Sequence, residues 1–235
     1  MLERASAGGP GRLLDVACGG AHHAPEFHRR GWQVFGLEPS PEMIARGRRV
    51  AAEAGTELQL VRGLGEALPF QDHTFDRVVC QSSIDHFVHP ADGLREMARI
   101  LRPDGRVVVG FVNYDGLSCR GSRLLYRIGR SLRLVPPGRR LFWDSPVDGE
   151  HTFEASLWAL QALAGTSLEL EAVYGVSMLW AFPGWRFVFK LAPGKSAIAL
   201  RVRDAIARGT DRAGRAWPRL SDFLVTTWRR PDPRL

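Results

Sequence analysis

Two features of the first forty residues have the residue types and the spacing to bind a nucleotide-like ligand. Cys18-Gly19-Gly20 ends a short apolar run at residues 12–17, and Glu38 follows about 20 residues later. Small residues between a strand and a helix let the backbone approach a ligand, with helix N–H groups facing it. A carboxylate at the end of the next strand can accept two hydrogen bonds from ribose hydroxyls. Taken singly, a plain glycine turn and a solvated surface charge are the alternatives.

Two histidines are the candidate general bases. His86, with Asp85 beside it, follows the apolar run at residues 75–80, and His151 precedes a predicted helix. An imidazole can take a proton from a hydroxyl or carboxyl acceptor near neutral pH. A lone histidine in a loop is more often a hydrogen-bonded structural residue, and this alternative stays open for both.

The composition is that of a globular domain. The chain has 235 residues, of which 45% are hydrophobic and 24% charged. This excludes disorder as the dominant state, because there is ample apolar surface to bury. The apolar stretches fall short of the roughly 18–20 residues that a membrane-spanning helix needs. Residues 1–12 also lack the apolar run of a signal peptide.

The cysteines exclude a disulfide scaffold and a cysteine-based zinc site. Cys18, Cys80 and Cys119 form an odd, scattered set without metal-ligand spacing. We therefore expect free thiols and a cytoplasmic location. His22 and His23 lie beside the glycine turn, but a histidine pair without further ligands does not make a metal site, and we expect none.

The basic charge has three interpretations. Lysine and arginine number 32 against 25 acidic residues, which gives a net charge of +7, and only Lys190 and Lys195 are lysines. Such a charge is typical of proteins that bind nucleic acid, an anionic membrane surface or an acidic substrate. The arginines are spread over the chain, which favours a solvated basic surface over a nucleic-acid footprint.

The first half of the chain predicts strands that alternate with helices. The predicted strands are residues 12–17, 33–37, 58–61, 75–80 and 106–112, and the predicted helices are residues 25–30, 41–54 and 90–101. This alternation implies parallel βαβ units and a three-layer α/β sandwich. Ligands of such folds bind at the carboxyl ends of the strands. The glycine turn, Glu38, the region of Leu64 and residues 81–86 should therefore share one edge.

The second half is less regular. Residues 113–150 contain tandem prolines, several glycines and many arginines, which predicts an insertion or lid. The elements predicted after it are a helix at 153–164, an edge strand at 168–176, a basic helix at 196–208 and a last strand at 222–228. We expect a single domain. Its parts are a ligand-binding core at 12–112, the insertion at 113–150, and residues 151–235 completing the sheet, with an aromatic and basic arm at 178–217.

Four blocks of the first half resemble a class I S-adenosylmethionine-dependent methyltransferase, most closely the small-molecule type 11 group. They are LLDVACGG (13–20), FGLEPSPEMIARGR (35–48), GEALPFQDHTFDRVVCQSSIDHF (65–87) and LREMARILRPDGRVVV (94–109). Their order and spacing are specific together, although no single block is. The resemblance implies a Rossmann-like fold with a mostly parallel seven-stranded sheet. It also implies S-adenosylmethionine as cofactor and methyl transfer to an O, N or C nucleophile.

The resemblance assigns cofactor roles by position. Asp15, which opens the glycine turn, would help to position the methionine moiety, and Glu38 would bind the ribose. The other implied contacts are Ala17 and Gly19 in the turn, Pro39, Met43, Leu64 and Gly65 around the adenine, and Gln81 towards the methionine end.

Three positions depart from the family's pattern. The family's glycines fall on Ala17, Gly19 and Ala21, so only the middle one is retained, and alanine is tolerated at the other two if φ stays negative and the backbone gap is not too tight. The aspartate that contacts adenine in the family falls on Leu64, and Glu66, two residues later, is not equivalent to it. A non-catalytic binding protein that kept the fold is therefore an alternative function.

The acceptor would be selected by residues 113–150 and 178–217, which combine arginines with bulky apolar residues such as Leu124, Trp180 and Phe187. These side chains have three alternative interpretations. They fill a core, they line a cavity for a hydrophobic or carboxylated metabolite, or they rest on a membrane surface. We favour a small-molecule acceptor over nucleic acid, because the Asn-Pro-Pro-Tyr-like and paired-cysteine motifs of many nucleic-acid methyltransferases are missing. The sequence does not indicate an oligomeric state.

Overall fold

The computed structural model describes residues 10–134, 152–176 and 208–231. The strands are β1 (Arg12–Val16), β2 (Gln33–Glu38), β3 (Leu58–Arg62), β4 (Phe75–Gln81), β5 (Leu101–Val112), β6 (Glu169–Val176) and β7 (Phe223–Arg229). The helices are α1 (Ala24–Arg29), α2 (Pro41–Glu53), α3 (Pro90–Ile100), α4 (Leu117–Ser131) and α5 (Leu157–Ala164). Ile84–His86 and Pro218–Leu220 form short 3₁₀ turns, and residues 208–216 are helical.

The seven strands form one sheet in the order β3-β2-β1-β4-β5-β7-β6. β1 pairs in parallel with β2 on one side and β4 on the other, and the β2–β3 and β4–β5 pairs are also parallel. The strand order therefore reverses between β1 and β4, which is where ligands bind in open α/β sheets. This arrangement confirms the predicted α/β fold with a mostly parallel seven-stranded sheet.

The core consists of apolar residues from the central strands and the helices that cover them. Leu13, Val34 and Val79 of the sheet form one buried cluster with Phe27 of α1 and with Trp32. β5 buries five apolar side chains, namely Leu101, Val107, Val108, Val109 and Phe111. A strand buried on both faces needs such a nearly continuous apolar run. On α3, the side chains of Leu94, Met97 and Ala98 are buried on one face.

Capping residues fix the ends of the first two helices. Ser40 Oγ accepts a hydrogen bond from Met43 N at 3.3 Å, and Pro41 occupies the first turn of α2. Gly31, which follows α1, has φ +86° and donates its N–H to His28 O at 2.8 Å. A left-handed residue at this position is the usual helix ending, and glycine adopts it without a steric penalty.

The boundary between α3 and β5 differs from the prediction. The helix ends at Ile100 and β5 begins at Leu101, five residues before the predicted start at Arg106. The pairing of β4 with β5 starts at Phe75 and Leu101 and then shifts register before Arg77 and Arg106. The bulge keeps Pro103 within an extended segment, since an irregular ladder tolerates a missing N–H.

The predicted insertion contains a regular helix. Residues 117–131 form α4, a helix that was not among the elements predicted from the sequence. Arginine and leucine are strong helix formers, and together they outweigh the glycines at positions 121 and 129. Residues 135–150 lie outside the described part of the chain.

The start of α5 also needs correction. The helix begins at Leu157, not at the predicted Phe153. Tyr114 N donates to Ala155 O at 2.9 Å, so this carbonyl is used outside a helix. The strands predicted at 168–176 and 222–228 are confirmed as β6 and β7. The basic helix predicted at 196–208 lies almost wholly outside the described residues.

The described residues divide into two compact units. One contains residues 10–111, 158–173 and 225–231, and the other contains residues 112–134, 152–157, 174–176 and 208–224. All three cysteines are free thiols. Within the described ranges, no helix combines the length and the apolar character needed to cross a membrane.

Candidate functional site

The turn that follows β1 uses left-handed backbone at every second residue. Ala17, Gly19 and Ala21 have φ values of 54°, 54° and 51°. The condition of a negative φ for the two alanines is therefore not met. Hydrogen bonds from Cys18 N to Leu37 O at 3.1 Å and from Ala21 N to Cys18 O at 2.9 Å hold the turn in place. An L-residue in this region costs about 1–2 kcal/mol, so the fold imposes the conformation against local preference.

The methyl group of Ala21 is accommodated by a glycine on α2. Ala21 is buried, and a Cβ added at Gly47 would lie 3.2 Å from Ala21 Cβ and 3.1 Å from Leu60 Cδ1. The small residue at position 47 thus leaves the space that the alanine in the turn fills. The turn and α2 remain closely packed although a family glycine has been replaced.

Glu38 connects the turn to the start of α2. Its Oε2 accepts a hydrogen bond from Gly19 N at 2.9 Å, and its Oε1 accepts one from Ser40 N at 3.0 Å. The side chain is only 8% exposed. Each oxygen keeps a lone pair free of these bonds, since a carboxylate accepts about four hydrogen bonds in all. The backbone therefore fixes the carboxylate while leaving acceptor capacity for hydroxyl donors.

Asp15 is a second buried carboxyl group close to Glu38. Burial first, and then the charge of Glu38, raise the pKa of Asp15 from 3.8 to about 7. The neighbouring Cys18 is affected in the same way, since burial and the charges of Asp15 and Glu38 raise the pKa of its thiol. Cys18 is therefore not activated as a nucleophile. The site carries excess negative charge and favours a cationic ligand.

The loop after β3 is positioned by backbone packing and by Glu66. Gly65 is buried, and a Cβ there would lie 2.3 Å from the ring of Phe87, so a larger residue would displace that ring. Glu66 Oε1 accepts hydrogen bonds from Val88 N at 2.8 Å and His89 N at 3.4 Å. Leu64, at the position of the family's aspartate, is 58% exposed. Glu66 therefore fixes the loop after β4.

Arg99 of α3 holds the rest of this loop. Its guanidinium donates to Leu68 O at 3.0 Å and to Phe70 O at 2.9 Å. It also pairs with Glu96 at 2.7 Å and Asp72 at 2.6 Å. The fixed planar fork of arginine allows all these bonds at once. Arg99 is thus a positioning residue for the segment that continues from Gly65.

The residues after β4 contact the glycine turn. Ser83 Oγ lies 3.3 Å from Ala17 O and 2.8 Å from Gln81 O. Ser82 has φ 52° and donates its N–H to Gly110 O at 2.6 Å. Gln81 Oε1 is buried and has no hydrogen-bond partner within residues 10–134, 152–176 and 208–231. An unpaired buried acceptor is costly, so Gln81 is suited to a ligand that donates a hydrogen bond.

The structure describes only one of the two predicted bases. His86 is exposed at the end of the 3₁₀ turn, beside the buried Asp85. His151 lies outside the described residues. The prediction of no metal site stays a prediction. In the described ranges, no group of three or more His, Cys, Asp or Glu side chains is arranged to hold a metal ion.

The structure brings most of the predicted site together. Asp15, Glu38 and Gln81 lie at the ends of β1, β2 and β4, the three adjacent central strands. Pro39 is exposed and Met43 half-buried at the start of α2. Sequence reasoning missed the positioning roles of Glu66, Ser83 and Arg99. No local pattern marks them, because their partners lie up to 66 residues away.

Comparison with known proteins identifies the domain. The family described as "Methyltransferase domain" matches residues 14–109. An uncharacterized methyltransferase, YcgJ of Bacillus subtilis, is 32% identical over 46% of this chain and 44% of its own length. A ubiquinone biosynthesis O-methyltransferase of Vibrio cholerae is 33% identical over 59% of this chain and 56% of its own length. The chain thus spans about half the length of these relatives.

A solved structure supports the fold over nearly the whole chain. The [4+2]-cyclase SpnF superimposes with a TM-score of 0.64 at 22% identity, over 97% of this chain and 77% of its own. At this identity the similarity concerns the fold alone. The residues at the ends of β1, β2 and β4, and the match of residues 14–109, are therefore the basis for assigning chemistry.

Proposed function

We propose that this chain is a class I S-adenosylmethionine-dependent methyltransferase of the type 11 group, because the methyltransferase family matches residues 14–109, and that it transfers a methyl group to a small molecule. We propose S-adenosylmethionine as the donor and an oxygen, nitrogen or carbon atom as the nucleophile. The Vibrio cholerae relative is named as an O-methyltransferase, which favours oxygen.

One observation carries the proposal: Glu38 is fixed by Gly19 N and Ser40 N at the end of β2. The two N–H donors hold the carboxylate in one orientation. Adjacent ribose hydroxyls can then donate to its two oxygens without reorganisation of the protein. A surface glutamate free to rotate would lack this preorganisation.

Three further features fit the same cofactor. A Cβ at Gly19 would have no atom within 4 Å, so open space lies against the turn. Asp15 and Glu38 supply negative charge for a ligand that carries a sulfonium and an ammonium group. Gln81 Oε1 is a buried acceptor for a donor such as that ammonium. Leu64 cannot replace the family's aspartate by its side chain, so recognition of adenine would rest on the backbone of the Gly65 loop.

The remaining requirement is alignment of the acceptor. When bound, S-adenosylmethionine supplies an electrophilic methyl group on a positively charged sulfur. The chain has to hold the nucleophile in line with that carbon, and such positioning provides most of the acceleration. We assign His86 as the base that takes the proton from a hydroxyl acceptor, with His151 as a weaker candidate.

Calorimetric titration with S-adenosylmethionine and S-adenosylhomocysteine tests the proposal. We expect binding of both in the micromolar range and a loss of about 100-fold or more in Glu38→Ala, because two charge-assisted hydrogen bonds disappear. Glu42→Ala is the matched control, since Glu42 is exposed in the first turn of the same helix. It should bind like the wild type.

Each other result would lead to a different conclusion. Equal affinity of Glu38→Ala and the wild type for the cofactor would show that the Glu38 carboxylate does not bind it. A folded wild type that binds neither compound would support the non-catalytic alternative. Binding followed by methylation of nucleic acid, and of no metabolite in an acceptor screen, would support the nucleic-acid alternative. An acceptor whose turnover is unchanged in His86→Ala would exclude this base.

A further inference from the structure

α4 is strongly basic. Between Leu117 and Leu134 the chain has five arginines and no acidic residue. The arginines are Arg120, Arg123, Arg127, Arg130 and Arg133. Arg123 pairs with Glu154 at 2.8 Å and lies over the ring of Tyr114. Arg120 and Arg127 are exposed. The helix therefore presents uncompensated positive charge to solvent.

The side chains of α4 divide into three sectors around its axis. The buried sector consists of Ser118, Cys119 and Ser122. The arginine sector consists of Arg120, Arg123, Arg127 and Arg130, which are three or four residues apart and so lie on one side. The apolar sector consists of Leu117, Leu124, Leu125, Ile128 and Leu132. Helical geometry of 100° per residue separates the centres of the three sectors by about 115–130°.

The apolar sector is exposed. Leu124 is 59% and Ile128 is 47% exposed, and the other three members are also exposed. An isolated exposed leucine needs no explanation, but five on one side of a single helix form a continuous patch. The small residues of the buried sector, not these leucines, attach the helix to the protein. The apolar sector thus has no packing role among the described residues.

From this juxtaposition we propose that α4 lies on an anionic lipid surface, with the apolar sector in the acyl boundary and the arginine sector among the headgroups. An apolar stripe flanked by arginines on a helix parallel to the surface is the arrangement that interfacial helices require. Apolar contact alone would suit a protein partner, and charge alone would suit nucleic acid. Their combination on adjacent sides of one helix favours lipid. This inference does not depend on the proposed methyl transfer.

Flotation of the full-length chain with vesicles tests the inference. We expect at least tenfold tighter binding to phosphatidylcholine vesicles containing phosphatidylglycerol than to phosphatidylcholine alone. Arg120→Gln with Arg127→Gln should weaken binding about fivefold per arginine removed. Leu124→Gln with Ile128→Gln should weaken vesicle binding about tenfold, since each substitution reduces the apolar area that the lipid can bury. Arg48→Gln with Arg49→Gln, on the exposed side of α2, is the matched charge control and should leave binding unchanged.

Several results would overturn the inference. The first is no preference for anionic vesicles by the folded wild type. The second is binding that falls in the arginine pair but not in Leu124→Gln with Ile128→Gln, because pure electrostatics would then suffice. The third is a lipid-free dimer that the apolar pair dissociates, which would assign the apolar sector to a second copy of the chain. Thermal melting of both pairs should match the wild type, since all four positions are exposed.

Discussion

Asp15 and Glu38 place two carboxyl groups inside the protein at the ends of neighbouring strands. Burial and the charge of Glu38 raise the pKa of Asp15 to about 7, so the folded state binds a proton that the unfolded chain releases near pH 4. Its contribution to stability is therefore complete below about pH 4 and is lost as the pH rises through 7. A difference of about three pKa units corresponds to about 4 kcal/mol.

Asp15→Asn should flatten this pH dependence. The free energy of unfolding of the wild type should fall between pH 5 and pH 8 by about 2.6 kcal/mol more than that of the variant. Urea denaturation at both pH values measures the difference. Asp104→Asn, at an exposed position of β5, should follow the wild type. Parallel profiles for wild type and Asp15→Asn would show that Asp15 does not hold the proton.

The same residue should make cofactor binding depend on pH. A cationic ligand favours the ionised form of Asp15, so binding of S-adenosylmethionine should release a proton and tighten as the pH rises from 6 to 8. S-adenosylhomocysteine lacks the sulfonium charge and should show a weaker dependence. Calorimetry in two buffers of different ionisation enthalpy would detect the proton. Equal proton release with both ligands would argue against a role of Asp15 at the sulfonium.

The alanines in the turn allow a test of local strain. Ala17→Gly removes a Cβ from a left-handed position, and the relief should offset the greater freedom of glycine in the unfolded chain. We expect a free energy of unfolding equal to that of the wild type or higher by up to about 1 kcal/mol. Ala52→Gly, on the exposed side of α2, should instead lose about 1 kcal/mol. Equal losses of unfolding free energy in both variants would contradict backbone strain at Ala17.

At the scale of elements, α3 fixes the loop that follows Gly65. Arg99→Met should remove the hydrogen bonds to Leu68 O and Phe70 O and weaken cofactor binding about tenfold, because the loop would no longer be held. Arg95→Met is the control on the same helix, since Arg95 is more exposed and pairs with Asp92. Calorimetry measures the cofactor affinity of both variants, and thermal melting measures their stability. Unchanged affinity in a destabilised Arg99→Met would make Arg99 purely structural.

Most elements of the first half could be predicted because their signals are local. Ser40 and Pro41 mark the start of α2, and the alternation of apolar runs with helices implies the parallel sheet. The start of β5 at Leu101 could not be predicted, since it depends on a register shift between Phe75 and Arg77 in the pairing with β4. α4 was missed because its helically spaced leucines are exposed, and because the glycines and prolines of residues 113–150 indicated a lid.

The site was predictable in part for a similar reason. Asp15, Glu38 and Gln81 end strands, and strand ends can be located from apolar runs. Their assignment to a cofactor came from the resemblance to a family, since a carboxylate at a strand end is often a surface charge. The left-handed φ of Ala17 could not be predicted, because alanine disfavours it and only the surrounding hydrogen bonds impose it.

At the scale of the whole molecule, the net charge of +7 predicts weak and unspecific attraction to nucleic acid. Affinity for a short DNA duplex should fall at least tenfold between about 50 and 200 mM salt and should not depend on base sequence. Fluorescence anisotropy with two unrelated duplexes measures both properties. Salt-resistant binding to one duplex would instead indicate a nucleic-acid acceptor.

The close packing of Ala21 against Gly47 also restricts the order in which the two positions can change. Gly47→Ala alone would bring two methyl groups within 3.2 Å of each other, whereas the same change after Ala21→Gly would avoid this contact and keep the approach to Leu60 Cδ1 at 3.1 Å. The effect of either substitution thus depends on the residue already present at the other position. A descendant of this chain with glycine at position 21 could then accept a larger residue at position 47. That larger residue would afterwards exclude alanine from position 21.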